Sequence, residues 1–404
     1  MARSDGHHRD RLFQPLELPC GAILKNRIGK SAMSDSLGDG RGNPTDAQIR
    51  LYERWAEGGL AVSIIGEVQG NPNFAEKPGN LVLDAGADLG RFALLARRGA
   101  VNDAQLWLQL GHAGAMAHPP ISHPKGPSAI DIPGLTCAEL TRDEVRNVPL
   151  EFARTARMAK SAGFGGVQIH AAHGFLLSQF LSPLFNKRED EYGGNITARM
   201  RLLLEVADEV RSAVGPRFPI AVKLNATDQL EGGFERDDAL KVVSALDGMG
   251  IDLIDISGGT YFPGAKSASD GAGRGPYFVE FAKSARQRTK KPLMVTGGFK
   301  TLQQAIGAVS DGAADIVGLA RALVLDPTLP RGWQTDAVGD PTFPKFASPP
   351  EGGITAWYTM RLTALAEDRE TTDTLDLGAA VKAYEDRDND RIAMWKSRFQ
   401  LNQS

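Results

Sequence analysis

Only two cysteines, Cys20 and Cys137, occur in 404 residues, and they form no CxxC pair. That leaves a disulfide framework, a zinc knuckle and an iron–sulfur cluster without support. Long apolar runs are missing as well: none approaches the ~20 residues needed to cross a bilayer. The opening MARSDGHHRD is polar and lacks the apolar core of a secretory leader. Nor does charge of one sign prevail. With 46 Lys+Arg against 49 Asp+Glu the net charge is −3, which leaves no electrostatic footprint for nucleic acid or anionic lipid. These absences lead to the expectation of a soluble, cytoplasmic protein in a reducing compartment. It should act on small molecules, with no nucleic-acid or membrane partner.

What is present is a hydrophobic content of 42%, enough for a large core. The length permits several domains or one α/β barrel of ~250 residues with extensions. Short apolar runs at 28–34, 60–68, 105–110, 166–170, 220–225, 251–257, 293–296 and 315–319 read as strands. Amphipathic segments at 46–57, 89–102, 142–162, 198–214, 236–249, 277–288 and 301–310 read as helices between them. Thr141 with Glu144 makes a capping-box pattern, Thr301 is a further helix cap, and Gly163, Gly250 and Gly312 sit where helices should stop. Mostly non-alternating apolar strands argue for a parallel sheet buried on both faces. Polar and Gly-rich residues follow nearly every strand, so a (β/α)8 TIM barrel with an N-terminal cap and a C-terminal helical extension is favoured over a doubly wound sheet. Residues 1–335 would form the barrel. Residues 336–404 would pack on it, with a Pro-rich connection at 340–350, a helix at 357–365, and a charged end serving as a mobile tail or a contact in a homo-oligomer.

The most informative stretch is 166–194, GVQIHAAHGFLLSQFLSPLFNKREDEYGG. Its strand ends in His170 and His173, and paired imidazoles are rarely spent on packing, because every ring nitrogen needs a partner. In a barrel the residues after each strand share one mouth. Gly297-Gly298 after the seventh strand and Gly318–Arg321 after the eighth stand where barrels commonly bind phosphate. A glycine pair admits close backbone approach and Arg321 brings a planar fork of donors; the plainer alternative is a tight turn and a surface ion pair. Lys223 inside the fifth strand must reach the mouth or find a counter-charge, for which Asp228 or Glu231 is the expected partner. Beside a cofactor at ~4 Å, an uncompensated charge is worth roughly 4 kcal/mol, or up to ~90 mV of two-electron potential.

Several longer motifs carry a family resemblance: LFQPLEL with LKNRIGKSAM, QLGHAG at 109–114, HAAHGFLLSQFLSP at 170–183, NKREDEYGG at 186–194, VTGGF at 295–299 and VGLARAL at 317–323. Over about residues 12–330 the chain resembles the old yellow enzymes, FMN-dependent NAD(P)H oxidoreductases that reduce activated alkenes on a (β/α)8 barrel. The resemblance implies bound FMN, with NADH or NADPH as hydride donor. It further implies that Ala32, Met33 and Ser34 line the flavin, that Gly66 lies beside it and that Gln109 bonds its pyrimidine edge. Lys223 would stand near the flavin N1–O2 edge, and Gly297, Gly298, Ala320 and Arg321 would hold the phosphate. His170 and His173 would bind the substrate oxygen during ping-pong hydride transfer through flavin N5.

Where the family usually has tyrosine as proton donor, this chain has Phe175. Tyr261, Tyr277, Tyr358 or water are the substitutes, with Phe175 and Tyr261 expected against substrate. Ser34 and Ser36 replace the redox-tuning cysteine and the substrate-contacting tyrosine of one branch. The alternative reading of Phe175 is oxidative demethylation or isomerisation on the same flavin. A metal-dependent hydrolase using His112, His170 and His173 is a third reading, weakened by the lack of a well-spaced carboxylate ligand. The segments 228–231 and 261–275 are expected to form the substrate rim.

Overall fold

The computed structural model describes residues 10–265, 275–350, 352–370 and 375–399. The polar amino-terminal nine residues and most of the expected rim at 261–275 therefore lie outside the described residues. Eight parallel strands close into a ring: β1 (Ile28–Lys30), β2 (Val62–Gln69), β3 (Gln105–Gly111), β4 (Gly166–Ala171), β5 (Ile220–Asn225), β6 (Leu253–Ser257), β7 (Leu293–Thr296) and β8 (Ile316–Leu319). Each pairs with the next, and β8 returns to β1 with Gly318 opposite Gly29. All eight expected strands are present, and the doubly wound alternative falls on this closure.

The outer helices are α1 (Asp46–Glu57), α2 (Leu89–Arg98), α3 (Arg142–Ser161), α4 (Arg201–Val214), α5 (Arg236–Asp247), α6 (Val279–Arg286) and α7 (Leu302–Ser310). Both expected caps form reciprocal boxes, Thr141 with Glu144 and Thr301 with Gln304. Gly163 and Gly312 take the left-handed conformation that ends a helix. Gly250 does not: α5 stops earlier, at Gly248. A Cβ on Gly250 would lie 2.9 Å from the Arg211 side chain, so close approach and not a turn requires glycine there. The expected helix at 89–102 ends at Arg98, capped by Gly99, and left-handed Asn102 and Asp103 keep the remaining residues out of it.

The lumen explains where chemistry can sit. Side chains alternate along a strand, and the inward positions change character from bottom to top. Low in the barrel, Val62, Ile64, Trp107, Leu253, Met294 and Ile316 pack together with Leu24, from the hairpin Leu16–Glu17/Ile23–Leu24, and Leu18, next to it. Two residues higher the inward positions are Gln109, Gln168, Lys223, Asp255 and Thr296. The strands are thus not uniformly apolar: their outward faces bury against helices, while their inward faces turn polar toward the carboxyl end.

After β8 come α8 (Arg321–Leu325), α9 (Leu329–Thr335), α10 (Gly353–Ala366) and α11 (Leu377–Phe399), with 336–350 irregular. The charged end does not project from the barrel. Trp395 of α11 is buried with Ala75, Val82 and Ile121, and Arg391 donates to the Ser36 carbonyl at 2.6 Å. The loops after β1 and β2, at the carboxyl face of the barrel, are thereby covered by the chain's own last helix. Among the described residues no helix is long and apolar enough to cross a membrane.

Candidate active site

The polar layer is one hydrogen-bonded unit. Lys223 Nζ donates to Asp255 Oδ2 at 2.6 Å and to Ser31 Oγ at 3.0 Å. The second bond crosses the lumen from β5 to the end of β1. Asp255 also accepts from Gln168 Nε2 at 2.9 Å and Thr296 Oγ1 at 2.7 Å, and Gln168 Oε1 accepts from Gln109 Nε2 at 2.8 Å. An ammonium has three donors, so Lys223 keeps one to spend upward. The counter-charge of Lys223 is Asp255, not Asp228 or Glu231. Asp228 is committed to Ser182 Oγ, Asn225 Nδ2 and the Phe234 amide. This pairing also corrects the electrostatic expectation: a carboxylate at 2.6 Å cancels most of the lysine's field, so its effect on a neighbouring potential falls well below the isolated-charge figure.

Above this layer stand the two imidazoles. His170 is the last residue but one of β4, and His173 follows in a turn with φ of 62°. A side-chain-bearing residue held there costs of order 1–3 kcal/mol unless its surroundings impose it. Here the His173 amide donates to Asn225 Oδ1 at 3.1 Å, and its carbonyl accepts from the Tyr261 amide at 3.2 Å. Gly174 follows at φ 81°, and a Cβ there would strike Thr260 Oγ1 at 2.5 Å. His170 Nε2 and His173 Nδ1 are 3.2 Å apart, and His173 Nε2 is 2.9 Å from Ser257 Oγ. Burial, and then the charge of Lys223, lowers the His170 pKa to about 3. Burial, followed by His170 and Lys223, puts His173 well below the ordinary imidazole value. Both rings are neutral at physiological pH and each carries one N–H.

A bulge brings in a residue that the sequence reading missed. The β2–β3 register shifts between Ile65 and Val68, and Glu67 has φ 56°; a bulge of this kind re-aims a side chain. Glu67 Oε1 comes within 2.8 Å of His170 Nδ1 but lies off the ring's N–H axis, so that nitrogen makes no hydrogen bond. Burial raises Glu67 to about 8. Burial and then Glu67 raise Glu76 to about 8. Phe175 packs against His170 with centroids 4.9 Å apart and against Tyr261 at 5.8 Å. Tyr261 keeps 63% of its surface open yet titrates as a group enclosed by protein, raised by burial and then by Glu76 and Glu67. The two facts agree if it lines the open side of a deep cleft.

On the far side of the mouth, Gly297 and Gly298 have φ of 116° and 81°. Arg321 stacks on Tyr358 of α10 at 5.0 Å and meets no carboxylate among the described residues. Ala32, Met33, Ser34, Gly297, Gly298, Ala320 and Arg321 are all partly open, whereas the strands that lead to them are buried. The open backbone, the glycine turn and an unpaired guanidinium form an anion cradle. Gly66 is not itself open: a Cβ on it would fall 2.5 Å from the Met33 carbonyl carbon, so glycine there lets the end of β1 lie across β2. At Gly298 a Cβ would meet the Gly275 carbonyl oxygen at 2.2 Å. Gly298→Ala is expected to weaken retention of a phosphate-bearing ligand about tenfold or more, since each ~1.4 kcal/mol of strain is one decade; dilution of the coloured protein checks this.

His112 is not gathered with the other two histidines. It stacks on Phe74 at 4.1 Å, its Nδ1 accepts from the Gly114 amide at 3.1 Å, and burial lowers it to about 3. Among the described residues no three metal-ligating side chains converge.

Comparison with known proteins agrees with this geometry. Residues 11–337 match the NADH:flavin oxidoreductase / NADH oxidase family. The chain is 33% identical over 387 residues to the NADH-dependent flavin oxidoreductase iliE of Neonectria sp. (strain DH2), covering 87% of this chain and 50% of that protein. It is 34% identical over 356 residues to the protein of the same name in Hypocrea jecorina (strain QM6a), covering 78% and 87%. The chain therefore spans half the length of one relative and most of the other. Morphinone reductase superposes with a TM-score of 0.71 at 25% identity, covering 82% of this chain and 91% of that one. The chain belongs to the NADH:flavin oxidoreductase / NADH oxidase family and is an FMN-dependent oxidoreductase of the old yellow enzyme type.

Proposed function

We propose that this protein uses NADH or NADPH to reduce the activated C=C bond of α,β-unsaturated carbonyl or nitro compounds. The observation that carries the reading is a pair of neutral imidazoles, His170 buried and His173 half-buried, standing over a polar lumen layer, opposite an anion cradle. The residues present fit FMN. Arg321 with the Gly297-Gly298 and Ala320 backbone would hold the phosphate, and Ala32, Met33 and Ser34 would line the ring. The third donor of Lys223 and the uncommitted Oε1 of Gln109 match the acceptor and donor of a pyrimidine edge. Gly66 acts indirectly, by letting Met33 lie where it does.

When bound, FMN supplies a ring that takes hydride from a nicotinamide and passes it to a second substrate at the same place, a ping-pong sequence. The chain's own contribution is electrostatic. His170 and His173 would exchange their mutual hydrogen bond for two N–H bonds to the carbonyl or nitro oxygen. There they would stabilise the charge that develops as hydride reaches the β-carbon. Depressed imidazole pKa values keep both rings neutral, so that they donate hydrogen bonds from one N–H each and carry no extra proton to deliver. Phe175 would pack against the substrate.

The purified protein is expected to be yellow and, once reduced anaerobically by NADH or NADPH, to be reoxidised by cyclohexenone or maleimide. Failure of every activated alkene to reoxidise it would turn the assignment toward demethylation or isomerisation.

A further inference from the structure

Phe175 carries no hydroxyl, so reduction of an alkene on this barrel needs another proton source, and the structure discriminates among all six tyrosines of the chain. Tyr52 donates to Asp35 behind the barrel wall, and Tyr192 donates to Glu205. Tyr277 packs edge-on against Phe278 under Gly297. Tyr358 lies buried beneath the Arg321 guanidinium. Tyr384, on α11, sits between Lys77 at 5.5 Å and Arg387 at 5.9 Å. Tyr261 alone is tied to the imidazole turn: its amide donates to the His173 carbonyl, and Thr260 bridges to His173. Its ring meets Phe175 edge to face with centroids 5.8 Å apart, and Phe175 in turn packs on His170. The charges of Glu76 and Glu67, from the loop after β2 and from β2 itself, act on the Tyr261 phenol, as does Arg321 from the end of β8.

We propose that Tyr261 is a further catalytic residue, donating the proton to the α-carbon of the alkene from the loop after β6; this rests on the ene-reduction reading above. As hydride forms the new C–H bond at the β-carbon, the π electrons move to the α-carbon, which takes the Tyr261 proton. The O–H bond breaks, its electrons stay on the phenolate, and the phenolate regains a proton from the water to which this residue is open. The phenol pKa lies above its ordinary value, so the proton stays until an acceptor as basic as an enolate carbon arrives.

The test compares wild type, Y261F, Y384F and the F175Y/Y261F double variant in single-turnover reduction of 2-methylcyclohexenone, whose α-carbon becomes stereogenic. Y261F is expected to slow product formation by about 10²–10⁴-fold and to yield a nearly racemic product, since water then protonates either face. F175Y/Y261F should recover rate and a single enantiomer by restoring a phenol next to the same site. Wild-type rate and handedness in Y261F would overturn the proposal, as would a loss confined to Y384F. A wild-type protein inert toward every activated alkene would instead overturn the ene-reduction reading itself.

Discussion

His173→Ala is expected to lower the rate of alkene reduction by about 10²–10³-fold, the usual effect of removing one donor to a developing oxyanion, while FMN stays bound. The separation of the two effects follows from position. His173 lies above the lumen layer, and among the described residues its ring bonds His170 and Ser257, whereas the residues that would hold the cofactor are Lys223, Gln109 and the β7–β8 cradle. A phenolic ligand, whose oxygen imitates the enolate, should lose its tight binding in parallel. Alanine also inherits the strained backbone at φ 62°, so part of any loss will be conformational. His173→Asn separates the contributions, because asparagine tolerates the left-handed region and keeps an N–H donor. It should lose less than alanine in both rate and phenol affinity. If alanine and asparagine lose FMN along with activity, the residue is structural and the oxyanion role fails.

Asp255→Asn is expected to destabilise the fold by about 3–5 kcal/mol, read as a lowered urea midpoint at unchanged slope. Lys223 and Asp255 are 1% and 0% exposed, and the carboxylate collects donors from β4, β5 and β7. Removing its charge leaves an ammonium in the lumen without a counter-ion and turns two donors toward an amide N–H. The coupled change Lys223→Met with Asp255→Leu should recover most of that stability, because a buried ion pair is commonly no better than a well-packed apolar pair. It should not recover the cofactor, since the third lysine donor is gone. Such an outcome would show that the pair is kept for the flavin and not for the barrel. An unchanged midpoint in Asp255→Asn would instead mean that Lys223 finds another partner, and the account of the polar layer would fail.

Much of this molecule was legible before folding. All eight strands, the caps at Thr141 and Thr301, the imidazole pair and the glycine turn rest on local signals: apolar runs, cap spacing, adjacent glycines. Asp255 was overlooked although Leu253-Asp255-Ser257 repeats the pattern of Ala221-Lys223-Asn225. An apolar residue gives way to polar ones every second position, which marks an inward face rising toward solvent. Reading those strands as mostly non-alternating and apolar hid it. Glu67 left no such trace, because its approach to His170 depends on a bulge that only the mismatch between β2 and β3 creates.

What the chain alone determined, then, is the kind of barrel and the kind of chemistry at its strand ends, since both depend on contacts within a few residues. Tertiary structure decided who faces whom: Lys223 with Ser31 across the lumen, Tyr261 with the imidazole turn, and α11 over the loops after β1 and β2. Those pairings join residues far apart in the chain, and only ring closure and helix docking bring them within reach. No local pattern encodes a distance across a barrel.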